Sequence, residues 1–377
     1  MSTTSVAFGK HGGGSMLPPD VPWGIEVRDE RVLRRIAREG VLGLGEAYLE
    51  DLWSADRLDE VLYRAFTQPA PRPSAIVRAK WALTAAEQTL FNRQSGRRAF
   101  NIGVRHYDLG NDLFRCMLDE SMTYTCGYWA NAATLNEAQE AKLDLVCRKL
   151  SLRPRLHVLD IGCGWGNFAQ FAARRYGVRV TGVTVSRQQA DFARRRCEGL
   201  PVEIRLQDYR QVTETFDRVA SIEMIEAVGR KNIPTFYRVV DRCLKEDGIF
   251  VLQAISANIL SRSSDWRLDQ FALWLLKYIF PDGYLPKQSE LAALEGTSLR
   301  IDDRQSFGPD YDRTLLAWAG NFNAGWDRLR NQYDDVFRRR WNFYLYGCAA
   351  AFRARLLHLY QIVYAKGGSR QLDHAPR

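Results

Sequence analysis

Short, continuous apolar runs alternate through the middle of this chain with stretches whose apolar positions recur every three or four residues. The first pattern predicts buried strands and the second predicts helices. Strands are read at Val158–Ile161, Val178–Val185, Val202–Leu206, Phe216–Ile222 and Gly248–Ile255. Helices are read at Phe168–Tyr176, Arg187–Glu198 and Pro234–Leu244, with one more, from about Asn136 to Leu150, leading into the first strand. This alternation predicts an α/β fold built on a doubly wound parallel sheet. Ligands of such sheets sit beyond the carboxyl ends of the strands. Those ends carry Gly162–Gly166, Thr184, Asp208, Glu226 and Gln253–Ile255.

The flanks read differently. From about Asp29 to Tyr63 the spacing of Val32, Ile36, Leu49, Leu52 and Trp53 is helical, with Gly43 and Gly45 expected to mark a turn between two helices. The proline-rich Q-P-A-P-R-P-S at 68–74 breaks the pattern, and a helix is expected from Ala75 to about Phe91. A basic stretch with Arg93, Arg97, Arg98 and Arg105 follows. Residues 1–24 are read as a flexible tail, 25–105 as a helical accessory domain and 106–377 as the catalytic domain. The arginines of the accessory domain either face lipid phosphates or form a solvated helix face. Segment 106–129 is irregular and dense in aromatic residues, which points to function. Further on, a helix is expected at 266–280, and 328–364 reads as helix.

Composition narrows the class. Hydrophobic residues make up 46% of 377, enough for a packed core, and the net charge of +9 favours an anionic partner. Seven dispersed cysteines with no C-x-x-C pair argue against a disulfide framework or a metal site, and for a reducing cytosol. The first residues lack the apolar core of a secretion signal. The run 271–280 is too short to cross a bilayer, and Arg353 and Arg355 interrupt the apolar run 341–364.

The chemistry centres on V-L-D-I-G-C-G-W-G-N, residues 158–167. Glycine at Gly162, Gly164 and Gly166 lets the backbone turn sharply and lets a ligand approach closely. A dinucleotide fingerprint would need glycine where Asn167 stands. The spacing, with Asp160 two residues ahead, instead resembles the S-adenosylmethionine loop of class I methyltransferases. Asp160 would then hold the loop or accept from the methionine ammonium, and Asp208 would accept from the adenine amino group. Most such enzymes carry an acid at the end of the second strand. Here Thr184 ends it, with Gln189 a turn into the next helix, which points to a subfamily. No D/N-P-P-Y-type loop follows the fourth strand, where E-M-I-E-A-V-G stands, so nucleic acid is not the expected substrate.

The segments H-Y-D-L-G-N-D, M-T-Y-T-C-G-Y-W, L-D-I-G-C-G-W-G, V-T-G-V-T-V-S and L-Q-D-Y-R resemble signatures of the cyclopropane-fatty-acyl-phospholipid synthase family of fatty-acyl methyltransferases. G-L-G-E-A-Y-L-E-D-L-W, P-D-Y-D-R-T-L-L-A-W and A-A-A-F-R-A-R extend the likeness over nearly the whole chain from about Leu42. The resemblance implies that Tyr124, Thr125, Gly162, Gly164, Thr184, Gln189, Asp208 and Ile222 line the cofactor site. It implies a methylene bridge added across a cis double bond of an unsaturated phospholipid, at the inner face of a membrane, by a homodimer. It also implies a bicarbonate base gripped by Cys126, Glu226, the Ile255 backbone and Tyr311 together with a histidine. Gln253 occupies that histidine's position, and Ala227 stands where a histidine usually follows Glu226. Glutamine donates hydrogen bonds to an anion but neither carries charge nor relays a proton. The departure weighs against bicarbonate, and it opens an alternative C-methyl or methylene product, made with a reductase partner.

Overall fold

The computed structural model describes residues 24–69, 75, 79, 83, 84, 110–257, 265–367, 376 and 377. The expected tail, the proline break at 70–74, most of the helix expected at 75–91, the stretch carrying Arg93, Arg97, Arg98 and Arg105, and 106–109 lie outside the described residues. Contacts divide the chain into two compact units. One comprises Met1–Gln88, Asn258–Pro281 and Leu315–Leu357, and the other Thr89–Ala257, Asp282–Thr314 and His358–Arg377.

The described chain opens with helices α1 (Arg31–Glu39), α2 (Val41–Leu49) and α3 (Leu58–Thr67). Helices α4 (Asn111–Met117) and α5 (Leu135–Lys149) precede the sheet. The sheet segment then runs β1 (His157–Ile161), α6 (Asn167–Tyr176), β2 (Arg179–Thr184), α7 (Arg187–Arg196), β3 (Val202–Leu206), β4 (Phe216–Ile222), α8 (Ile233–Cys243) and β5 (Leu244–Ser256). After it come α9 (Trp266–Tyr278), β6 (Leu299–Ser306), α10 (Gly308–Ala324), α11 (Asp335–Arg353) and β7 (His358–Lys366).

In the helical unit, α1–α3 pack with α9 and α11, which lie far along the chain. Trp274 of α9 meets Phe343 of α11 at 4.7 Å between ring centroids. The turn between α1 and α2 falls at Gly40, not at Gly43 and Gly45 as expected. Gly40 takes a φ of +57°, and the following Val41 N–H donates to the Gln270 side chain at 2.6 Å. Gly45 lies inside α2, where a Cβ would come within 2.8 Å of Phe343 and Trp274. Its role is close helix packing.

The second unit holds a seven-stranded sheet in the order β3-β2-β1-β4-β5-β7-β6. Strands β1 to β5 are parallel, and β7 runs antiparallel to both β5 and β6. Side chains alternate between two buried faces. Leu159, Ile161, Val219, Phe250 and Leu252 pack on one. Val158, Val180, Ala220, Val251 and Val363 pack on the other. Both faces carry buried clusters, so apolar residues stand at consecutive positions in the central strands. The fold class is as expected, α/β and doubly wound.

Two elements differ from expectation. The stretch 328–364 is not one helix: α11 ends at Arg353, and residues 358–366 form β7. Paired on both sides, β7 buries Leu359 to Ala365 without a break. Strand β6 is an edge strand whose exposed positions hide its period. No helix among the described residues is long and apolar enough to cross a membrane.

The chain leaves β1 outward through β2 and β3, then returns to place β4 on the other side of β1. That reversal opens a crevice above the carboxyl ends of β1 and β4, where sheets of this kind bind ligands.

Candidate active site

The loop after β1 uses its three glycines for three purposes. All take positive φ: +81° at Gly162, +52° at Gly164 and +80° at Gly166. A Cβ at Gly162 would lie 2.4 Å from Met224 Cγ, so this glycine makes room for the loop after β4. A Cβ at Gly166 would lie 2.8 Å from Ala193 Cβ on α7, so this one lets two helices approach. A Cβ at Gly164 would meet nothing within 4 Å, because Gly164 faces a cavity. That cavity is lined by Tyr124, Thr125, Asp160, Gly162, Gly164, Thr184, Gln189, Asp208 and Ile222. Of the expected cofactor residues, only Gly166 is missing from the lining.

Neighbouring elements hold these groups in place. Thr184 Oγ1 donates to Gln189 Oε1 at 3.0 Å, joining the end of β2 to the first turn of α7. Asp208 accepts from Arg210 Nε at 2.8 Å and Nη2 at 2.5 Å, so both its oxygens already have a partner. From α5, Gln139 Nε2 donates to Thr125 O at 2.7 Å and Lys142 Nζ to Thr125 Oγ1 at 2.6 Å. Phe114 of α4 packs on Tyr124 and Trp165, with centroids 5.3 and 5.1 Å away.

Two buried charges in this cavity went unread or half-read in the sequence. Lys142 lines it; burial pushes its ammonium down to about 8, against the pull of the Glu223, Asp119 and Asp160 carboxyls. Asp160 is buried with its Oδ2 lacking a partner, and burial pushes its carboxyl up to about 7 although Lys142 pulls the other way. An orphaned carboxyl oxygen beside a bare-backbone cradle fits a ligand with a cationic amine, as the amino-acid end of adenosylmethionine has.

The catalytic candidates also come together, but around a residue the sequence reading passed over. Glu223 Oε1 accepts from the Cys126 N–H at 2.9 Å and from Gln253 Nε2 at 2.6 Å, and Glu223 Oε2 accepts from the Tyr311 hydroxyl at 2.5 Å. Gln253 Oε1 accepts in turn from Gln361 Nε2 at 2.8 Å, which orients the amide. Glu226, expected at the centre, stands to one side. Its Oε1 accepts from the Ile255 N–H at 2.6 Å, and its Oε2 is buried without a partner. Cys126 contributes its backbone; its thiol donates to Gly127 O at 3.1 Å and is pushed well up by burial. Burial pushes Glu226 up to about 8, with the Glu223 charge adding to the effect. Glu223 is also raised by burial, against the lowering effect of Tyr311, Cys126 N–H, Gln253 and Lys142. Three of the groups expected to grip bicarbonate thus grip the Glu223 side chain, and a bicarbonate ion does not fit there. The available signal was position: Glu223 is the first residue beyond β4 and lines the cavity.

The sheet order and this cavity define a class I adenosylmethionine-dependent methyltransferase. A family model described as mycolic acid cyclopropane synthetase matches residues 94–362. The chain is 44% identical over 358 residues to the cyclopropane-fatty-acyl-phospholipid synthase of Escherichia coli (strain K12), covering 94% of this chain and 91% of that protein. It is 35% identical over 352 residues to the tuberculostearic acid methyltransferase UfaA1 of Mycobacterium tuberculosis, covering 89% of this chain and 81% of that one. Among solved structures it is similar to mycolic acid cyclopropane synthase CmaA1 complexed with SAH and CTAB. That match has a TM-score of 0.66 and 31% identity, over 71% of this chain and 98% of that chain. The protein belongs to the mycolic acid cyclopropane synthetase family.

Proposed function

We propose that this enzyme adds the methyl carbon of S-adenosylmethionine across the cis double bond of unsaturated phospholipid acyl chains and closes a cyclopropane ring. One observation carries the reading: a bare-backbone cradle at Gly164 and a carboxylate at Glu223 line the same cavity. The 44% identity to a cyclopropane-fatty-acyl-phospholipid synthase supports the substrate class. When bound, the cofactor supplies an electrophilic methyl carbon, because its sulfonium accepts the electron pair of the breaking C–S bond. The bare backbone at Gly164 would let the amino-acid end of the cofactor approach, Asp160 would accept from its ammonium, and Thr184, Gln189 and Asp208 would hold its nucleoside. Addition to the alkene leaves a carbocation on the acyl chain, which an aromatic ring of the cavity lining such as Tyr124 would stabilise. The ring closes when the added carbon loses a proton.

Peripheral binding at the inner face of a membrane and pairing into a homodimer belong to the same proposal. The net charge of +9 supports the first and the family resemblance supports the second.

The test is to incubate the protein with methyl-labelled S-adenosylmethionine and vesicles of cis-monounsaturated phospholipid, then weigh the acyl chains by mass spectrometry. A product heavier by one methylene and stable to mild hydrogenation is expected. Unlabelled lipid would overturn the proposal. A second reading has the cation lose a different proton, giving a methylene or, with a reductase partner, a C-methyl chain. Gln253 in place of a histidine and the similarity to a tuberculostearic acid methyltransferase favour it. A labelled product that takes up hydrogen would establish it.

A further inference from the structure

We infer that the side chain of Glu223 is the ring-closing base of this enzyme, built into the chain where the family resemblance places a bicarbonate ion. The inference rests on the methylene-transfer reading above. Its ground is geometric. The Cys126 N–H, the Gln253 amide and the Tyr311 hydroxyl converge on one buried carboxylate, at 2.9, 2.6 and 2.5 Å. An ionised carboxylate has about four acceptor positions. Three are filled, and the side chain lines the cavity that holds the Gly164 cradle, so the remaining capacity is available to substrate.

The backbone supports the assignment. Glu223 adopts a φ of +51°, in the left-handed region that disfavours a side chain. Its own N–H donates to Gln253 O at 2.8 Å, so the residue is pinned from both ends to the edge of β5. Strain of this kind persists where surrounding structure over-determines it, and it gathers at active sites. The surrounding charges suit a base. Burial raises the carboxyl, as suits a base, while the three hydrogen bonds and the Lys142 charge favour its ionised form. Burial pushes the carboxyl of Glu226 beside it up to about 8, with the Glu223 carboxylate adding to the effect.

The step balances without a further reactant. A Glu223 oxygen takes one proton from the newly attached methyl group. The electron pair of that C–H bond forms the last C–C bond of the ring at the cationic carbon. Glu223 is left neutral and returns its proton to water after the product leaves. Gln253 needs no charge in this scheme, because its task is to orient a carboxylate that is already part of the chain.

The assignment predicts an enzyme that does not need bicarbonate. Turnover on vesicles of cis-monounsaturated phosphatidylglycerol would be measured in carbon-dioxide-depleted buffer with and without added bicarbonate. Binding of 13C-bicarbonate would be followed separately by NMR line broadening. Wild type is expected to turn over equally in both buffers, within about twofold, and to leave the bicarbonate line sharp. Glu223→Gln, nearly the same shape, should lose about a hundredfold or more in turnover, the scale for a lost general base. Its adenosylhomocysteine affinity should stay unchanged by calorimetry. Glu223→Gly relieves the backbone and empties the seat; it should broaden the bicarbonate line and regain turnover when bicarbonate is added. Wild-type turnover that collapses without bicarbonate, or a Glu223→Gln enzyme of full activity, overturns the assignment. If wild type labels no lipid, the methylene-transfer reading fails. The assignment of the seat then falls as well if wild type broadens the bicarbonate line as much as Glu223→Gly does.

Discussion

Glu226 holds the Ile255 N–H with one oxygen and leaves the other buried and unpartnered, a poor setting for a charge. Its carboxyl is pushed from an ordinary 4.5 up to about 8, chiefly by burial. Between those values the unfolded chain has released this proton and the folded chain keeps it. Stability therefore falls as pH rises, by about 1.4 kcal/mol per unit from this group. Glu226→Gln keeps the acceptor for Ile255 and removes the titration. From about pH 5.5 to 7.5 the variant should gain about 2.7 kcal/mol relative to wild type in urea denaturation. Parallel pH profiles would show that Glu226 is ionised when folded. Gly164 offers a second test. Gly164→Val should cost about 1–2 kcal/mol of stability for its left-handed backbone. It should weaken adenosylhomocysteine binding about a hundredfold or more, a loss of about 2.7 kcal/mol. Affinity within a few-fold of wild type would place the ligand elsewhere. Strand-end position made Asp160, Gly164, Thr184 and Asp208 legible in the sequence. Glu223 and Lys142 were not, since a Glu three residues ahead of another Glu and a lone Lys on a helix look like ordinary solvated side chains until the fold buries them.

Helix α5 shows how one element serves both stability and site. Thr134 and Glu137 form a capping box at its start, and Gln139 and Lys142, a turn later, hold Thr125 against the cavity. The two functions separate by mutation. Thr134→Ala should cost about 1 kcal/mol of folding stability and leave cofactor affinity as it was. Gln139→Ala strands the Thr125 carbonyl, a loss of about 1–3 kcal/mol, and should weaken adenosylhomocysteine binding measurably by calorimetry. Equal affinities in the two variants would separate the Thr125 loop from the cofactor. Elements buried on both faces were read nearly to the residue, as β1 and β4 show. The period failed where tertiary pairing decided the outcome. In His358–Lys366, aromatic and aliphatic side chains suit a helix or a strand equally, and only the open edges of β5 and β6 select the strand.

At the scale of the whole molecule the net charge of +9 is the property a membrane would sense. Attraction to an anionic surface is worth about 1 kcal/mol per basic residue near it and is screened by salt. Sedimentation with vesicles containing anionic phospholipid should therefore fall steeply as ionic strength rises from about 0.05 to 0.5 M, where the screening length drops well below about 10 Å. Neutral vesicles should bind weakly throughout. Binding that ignores both salt and lipid charge would assign the contact to apolar side chains.

The amino-acid sequence alone determined the α/β class, the strand order of use along the chain, and the glycine loop with its cofactor chemistry. These follow from local periodicity and from residues a few positions apart, which physical chemistry can read without knowing what lies across the fold. Tertiary structure decided that α9 and α11 complete the N-terminal helical unit, that the last buried run is a strand, and that Cys126, Gln253 and Tyr311 close on Glu223 and not on Glu226. Each of those outcomes depends on groups far apart in the chain meeting where the fold packs them together, so that a carboxylate takes whichever donors the packing brings to it.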